Sequence, residues 1–414
     1  MLRSFSVCSS AVVVLLAAPH PSTAIMAGYP DFEIVESAPV ETTLDHPGIR
    51  NALEVWLEMI HGARTSLDFA EFYASEVPND PNDPIDQVVT AIEAAAKRGV
   101  KVRFVSSSSF YKTYPQVIDR LRASIGDGAV LLLDFKKVAG GVLHAKYFIV
   151  DGETVYLGSQ NFDWRALSQI QELGVRVRDR TVAATMAAVY EYDWRTALAQ
   201  AKVQVTGPMP SIHEKFPIVK EMAPGETARI TPVASPQHFL PPGVPWDEPL
   251  LVAMIDSAKT SVEVQLLTYK PVSDRAYYDV LDGALRRAAA RGVEVRLLCA
   301  DWCKRASTIP HLKSLTVVPN IEVKLMTIPE SSRGFIPYAR VIHSKYMVVD
   351  GRAAWIGTSN WERDYFHESR NVGITVENEK IAGILHRFFT SGWESAYAYR
   401  VDPAADYKPP RIGE

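Results

Sequence analysis

Cysteine is scarce in this chain, three in 414 residues. Cys8 lies in an N-terminal leader-like stretch, so the folded part holds only Cys299 and Cys303, in "LLCADWC". That excludes a small scaffold held together by disulfides. The pair could close a short disulfide in an oxidising compartment or stand as two buried thiols at a strand end. No second Cys or His pair beside them completes a zinc site. Long apolar runs are also missing. The most apolar stretch, residues 11–18, falls well short of the roughly 20 residues a spanning helix needs. Nor is there an excess of positive charge: 44 Lys and Arg stand against 48 Asp and Glu, for a net charge of −4 and a pI near 6.2. No global positive field therefore exists to hold long nucleic acid or an anionic membrane by counterion release. An anionic substrate must be gripped locally.

What is present begins with "MLRSFSVCSSAVVVLLAAPHPSTA". Arg3, the apolar stretch and the small residues Ser22, Thr23 and Ala24 read as a cleaved secretory signal over residues 1–24, which implies a secreted or periplasmic protein. The remaining length, with 47% apolar residues overall, suffices for two or three domain-sized units.

Those units share one plan. "ARTSLDFAEFYAS" and "VVTAIEAAAKRGVKVRFVSSSS" in the first half answer to "AKTSVEVQLLTYK" and "LDGALRRAAARGVEVRLLCAD" in the second. Each half reads as a helix (around 52–61 and 249–258), an apolar strand, an Ala/Arg-rich helix stopped by Gly99 or Gly292, and a further strand. This is βαβ grammar, and it predicts an α/β fold with a mixed or largely parallel sheet in each half. The offset between halves drifts from 195 at Thr65/Thr260 to 193 at Gly99/Gly292. It then holds at 199 from His144/His343 through Asn161/Asn360, Gly174/Gly373 and Trp194/Trp393, the two Trp being expected core residues. The expected division is a first half over 25–205, a Pro-rich connector over 206–245, a second half over 246–402 and a tail over 403–414. Tandem twins usually face each other across a pseudo-two-fold, so related residues can converge on one shared site.

The repeated stretch itself reads "HAKYFIVDGETVYLGSQN" from His144 and "HSKYMVVDGRAAWIGTSN" from His343. In an extended strand His144 and Lys146 share a face, as do His343 and Lys345. Asp151-Gly152 and Asp350-Gly351 predict hairpin turns that return the chain to Asn161 and Asn360. Two facing clusters then offer two imidazoles, two ammonium groups and two carboxamides. A phosphodiester suits that set, because its transition state needs clamped oxygens, an in-line nucleophile and a proton donor for the leaving oxygen. Two Lys and two Asn can carry the electrostatic load without a metal ion or other cofactor.

Both motifs, with "GVLHAKYFIVD", "YLGSQNFDWRALSQIQELGV" and "IGTSNWERDYFHES", resemble the paired His-x-Lys-x4-Asp motifs of the phospholipase D superfamily. The likeness is to its branch of animal lysosomal 5′-exonuclease/phospholipase D-like proteins and poxvirus envelope phospholipases, and it runs from Glu33 to about Ala398. It implies two fused α/β halves related by a pseudo-two-fold around a single central active site. By resemblance His144 and His343 are the nucleophile that becomes phosphohistidine and the general acid, in either order. Lys146, Lys345, Asn161 and Asn360 match the phosphate-binding positions. Asp151 and Asp350 match the motif's acid, a role their hairpin position makes equally structural. Glu172 stands where the superfamily often places a carboxylate that orients a histidine. In the second half the register-matched residue is Asn371, and Glu368 lies three residues earlier as the alternative carboxylate.

Trp361 and Tyr365 are the expected rim residues that touch substrate, and Trp164 and Phe162 are core or rim. His367 and the untwinned His46, His61, His213, His238, His311 and His386 are expected to be surface or structural residues. The expected activity is metal-independent phosphodiester hydrolysis, with a 5′-end nuclease acting on single-stranded DNA or RNA ranked first. The alternative is a phospholipase D that hydrolyses or exchanges phospholipid head groups in peripheral contact with a membrane.

Overall fold

The computed structural model describes residues 28–77, 80, 83–273 and 276–413. The leader over residues 1–24 lies outside the described residues. Each half builds one nine-stranded mixed sheet. In the first, seven of the nine run in the order Phe32–Ser37, Glu172–Arg178, Thr154–Gly158, Lys146–Val150, Ser66–Glu71, Lys101–Ser107 and Val130–Leu133. The second repeats this order with Glu226–Ser235, Asn371–Glu377, Ala353–Gly357, Lys345–Val349, Ser261–Leu266, Glu294–Ala300 and Ile321–Met326. Ser66–Glu71 pairs in parallel with Lys101–Ser107 and antiparallel with Lys146–Val150, so the βαβ unit and the motif hairpin meet at the sheet centre.

Local signals explain these elements. Helices Pro84–Lys97 and Val280–Ala290 end where Gly99 and Gly292 turn to φ near +90°, a backbone region that only glycine enters without strain. Strand alternation then distributes the apolar side chains. Tyr147 and Ile149 join a central core with helix Arg180–Gln200, while Phe148 and Val150 join an outer core with helices Ala52–Gly62 and Pro84–Lys97. Tyr346 and Val348 reach the same central core from the second sheet, together with Phe388 and Phe389 of helix Glu379–Glu394. The layers are therefore helix, sheet, a shared helical layer, sheet and helix. Trp194 and Trp393 are buried in that shared layer, as expected.

The connector is more than a linker. The stretch 206–245 contains strands Ile218–Ala223 and Glu226–Ser235, which form a hairpin on the second sheet. Glu226–Ser235 pairs with Asn371–Glu377 as Phe32–Ser37 pairs with Glu172–Arg178. Proline hid this strand, but Pro232 stands past the end of its hairpin partner, where the strand has a single neighbour and proline is tolerated. Cys299 and Cys303 are free and buried; burial pushes the Cys299 thiol up, and Cys303 donates to the carbonyl of Leu267. His46, expected to be a surface or structural residue without a twin, is buried against Glu36 and Phe388 and so ties the two halves together.

Candidate active site

The motif hairpins turn at Asp151 and Asp350, both with φ near +50°. Their carboxylates point away from the site and staple the turn. Asp151 accepts the backbone N–H groups of Arg64, Thr65 and Ser66 and the Thr65 hydroxyl at 2.7–3.1 Å. Asp350 repeats this with Lys259, Thr260 and Ser261. These contacts hold both carboxyls below their usual range, against the opposing effect of burial. The motif's acid is structural, and the expectation of a catalytic role for Asp151 and Asp350 is corrected.

At the other end of each hairpin the two halves clasp. The N–H of His144 donates to the carbonyl of Arg370, and that of His343 donates to the carbonyl of Gln171, at 2.9 and 2.8 Å. Leu143 bridges Arg370 and Ile342 bridges Gln171 in matching parallel contacts. Each histidine segment is thus held by the chain that follows the Asn motif of the opposite half.

This exchange supplies the orienting residues. His343 Nδ1 lies 2.8 and 2.9 Å from the two carboxylate oxygens of Glu172. His144 Nδ1 lies 2.9 Å from Asn371 Oδ1. Glu368, the alternative carboxylate, instead pairs with Arg363 at 2.6 Å and is corrected as an orienting residue. Asn371 cannot turn: its amide nitrogen donates to the carbonyl of Tyr365, and its oxygen also accepts from the Thr358 hydroxyl. His144 must therefore carry its proton on Nδ1, leaving the Nε2 lone pair free.

Both imidazoles, with Asn161 and Asn360, line one cavity of about 990 Å³. Lys146 and Lys345 are fully buried beside them, each donating to the carbonyl of its own motif histidine. Burial, then the paired ammonium groups, push both histidines well below their usual range. Burial also pushes the Lys345 ammonium down to about 7 and the Glu172 carboxyl up to about 8. The Asn161 Oδ1 is buried with no partner among the described residues. Asn360 donates to the Tyr365 hydroxyl at 3.1 Å, and Tyr365 stands edge-on to His144 at 5.0 Å.

Tyr365 thus sits on the cavity wall as expected. Trp361 does not: it is 1% exposed in the core of the second half, because the short strand Trp361–Glu362 pairs with Tyr269–Lys270 and turns the indole inward. The expectation of Trp361 as a substrate-touching residue is corrected. Phe162 is also core, Trp164 packs against the outer core of the first half, and His367 pairs with Glu248 away from the two motif histidines. Sequence reasoning passed over Asn371 as an orienting residue, although its register match to Glu172 was the signal. It also missed Glu71, whose buried carboxyl lies opposite Lys146 across the strands. The second half carries Leu266 at the position that matches Glu71, so it offers Lys345 no such carboxyl.

Twin His and Asn sets lining one cavity, with a buried Lys beside each histidine and orienting residues exchanged between the halves, define a phosphodiesterase of the phospholipase D type. The comparisons agree. The family model described as "PLD3/4, PLD-like domain" matches residues 46–331. The chain is 33% identical to the 5'-3' exonuclease PLD3 of Bos taurus and 34% identical to that of Rattus norvegicus, in each case over 90% of this chain and 81% of the relative. Among solved structures, the phosphatidylserine synthase of Haemophilus influenzae Rd KW20 superposes with a TM-score of 0.56 at 10% identity, covering 84% of this chain and 85% of that one, a likeness of fold alone. The chain belongs to the PLD3/4 family of the phospholipase D superfamily.

Proposed function

We propose that this protein shortens single-stranded DNA or RNA from the 5′ end, with His144 as the nucleophile and His343 as the general acid. The relatives named as 5'-3' exonucleases support the substrate class. The observation that carries the assignment of roles is the difference between the Nδ1 partners, a neutral carboxamide for His144 and a carboxyl group for His343. A carboxamide keeps the facing imidazole neutral and nucleophilic, whereas a carboxyl group that burial holds up to about 8 shares one proton with His343, and that shared proton is the one the leaving oxygen takes.

In the first step His144 Nε2 attacks phosphorus, the bond to the leaving oxygen breaks, and that oxygen takes the proton of His343. Lys146, Lys345, Asn161 and Asn360 hold the non-bridging oxygens. In the second step the now neutral His343 takes a proton from water, the water oxygen attacks phosphorus, and the phosphorus–nitrogen bond breaks back to His144. The net change is one phosphodiester and one water converted to a phosphomonoester and an alcohol. Secretion, with removal of residues 1–24, belongs to the same reading; no helix among the described residues is long and apolar enough to cross a membrane.

The test combines substrate and adduct. Purified protein is incubated in excess chelator with single-stranded oligonucleotide, duplex and phosphatidylcholine, and quenched samples are mapped by mass spectrometry. The expected outcome is loss of nucleotides from the 5′ end of the single strand and a phosphoryl adduct on His144. The adduct should accumulate in His343→Gln and be absent in His144→Ala. An adduct on His343 would reverse the roles, and preferred turnover of phosphatidylcholine would replace the nuclease reading with the phospholipase one.

A further inference from the structure

The cavity wall around His144 is richer in aromatic rings than its counterpart in the second half, which contributes Leu267 and Trp302. Phe72 and Tyr73 follow strand Ser66–Glu71, and at the matching offset of 195 the second half carries Leu267 and Thr268. Phe72 lies 4.7 Å from the imidazole of His144, and the Lys146 ammonium sits 4.6 Å from its ring centre. Phe110 meets Phe72 edge-on at 4.7 Å, and Tyr114 stacks on Tyr73 at 5.5 Å. All four rings line the cavity and are half-buried, so part of each is left open to a ligand. The wall is also braced. The Tyr73 hydroxyl donates to Asp163 at 2.7 Å, and Asp163 accepts from Arg165, whose guanidinium lies 5.9 Å from the Tyr114 ring.

We propose that Phe72, Tyr73, Phe110 and Tyr114 form a stacking subsite for a nucleobase, that of the nucleoside which stays bonded to phosphorus after the first step. The assignment rests on the nuclease reading. In-line displacement sends the leaving oxygen away from His144, so the departing strand cannot occupy a wall beside that residue, while the retained ester arm can reach it. Aromatic faces suit a planar base and give affinity without selecting its identity. An acyl chain is the poorer occupant, because a lipid surface would need an apolar apron around the mouth. Among the large apolar side chains that are exposed, only Tyr338 borders the cavity in the described residues.

Esters that share p-nitrophenolate as leaving group isolate the retained arm. The thymidine 3′- and 5′-(p-nitrophenyl) phosphates are compared with methyl p-nitrophenyl phosphate, using wild-type protein and a Phe110→Ala/Tyr114→Ala variant whose fold is checked by thermal unfolding. Wild-type kcat/KM should favour the better thymidine ester over the methyl ester. The double variant should narrow that preference by about tenfold or more, the scale of a lost base stack, and Tyr114→Phe should keep it. An unchanged preference in the double variant overturns the subsite and leaves the nuclease reading standing. Wild-type protein that cleaves neither the esters nor single-stranded DNA overturns the nuclease reading, and the subsite falls with it. Loss of short-chain phosphatidylcholine hydrolysis in the double variant, with the thymidine preference intact, would assign the wall to acyl chains instead.

Discussion

At the scale of the residue, the two histidines differ in the group that each Nδ1 faces. Asn371→Asp would place a carboxylate opposite His144 and hold its imidazole protonated to higher pH. A nearby opposite charge moves a pKa by about 1–3 units, so the acidic limb of kcat/KM should move up by about one unit or more. A pH profile measures this, and an unmoved acidic limb would remove His144 from the nucleophile's role. Lys345 sets a second limb. Its ammonium, pushed down to about 7, is charged below that pH and neutral above it. The grip on phosphate should therefore weaken as pH rises through about 7, and kcat/KM should fall with it. Lys345→Arg keeps the charge at every working pH, so that limb should disappear even where the absolute rate drops; its persistence would assign the limb to another group. The motif residues were legible because identical spacing in two halves leaves little room for coincidence. Asn371 was visible in register but hidden by chemistry, since a carboxamide does not look like the twin of a carboxylate until both are seen to orient an imidazole.

At the scale of the element, the motif hairpin is a rigid arm whose far end is fastened by an aspartate. Asp-Gly announced the turn in the sequence. The donors it fastens to, in residues 64–66 and 259–261, lie more than eighty positions upstream and follow no local pattern. This explains why a residue inside the signature motif proves structural. Asp151→Ala should lower stability by about 2 kcal/mol, the scale for lost hydrogen bonds to a charged group, with kcat/KM per folded molecule little changed. Denaturant midpoints alongside initial rates would show it, and a rate loss with an unmoved midpoint would return Asp151 to the chemistry. The folded-state pKa is lowered, so the stabilisation is present above the unfolded value near 4 and is lost as pH falls through the folded one. The difference between wild type and variant should therefore shrink in acid. The strand Glu226–Ser235 was illegible for a related reason: it lies in a Pro-rich connector and itself holds Pro232, the signature of a linker, and only the sheet supplies the edge that tolerates it.

At the scale of the whole molecule, the duplication was readable, but the way the halves lock was not. Sequence register says that two motifs exist; it does not say that each half lends the other its orienting residue. Arg370 lies at the centre of that exchange. Its guanidinium is fully buried and bonded to Asp193 of the first half at 2.9–3.0 Å and to the carbonyls of Ser235 and Phe239. Its backbone holds Val142 and His144 in place. The matched residue in the first half is Gln171, which binds Gln265 instead of an ion, so one clasp is charged and the other neutral. Removing one member of a buried ion pair strands the other, at a cost of about 3–5 kcal/mol. Arg370→Leu should therefore destabilise strongly and also lower kcat, because the segment that positions His144 and carries Asn371 loses its anchor. Adding Asp193→Leu removes the stranded charge and should recover much of the stability. Thermal unfolding of the two single variants and the double variant reads the coupling. A double variant as unstable as the sum of the singles would mean that the ion pair does not act as a unit, and that the clasp rests on the backbone bridges alone.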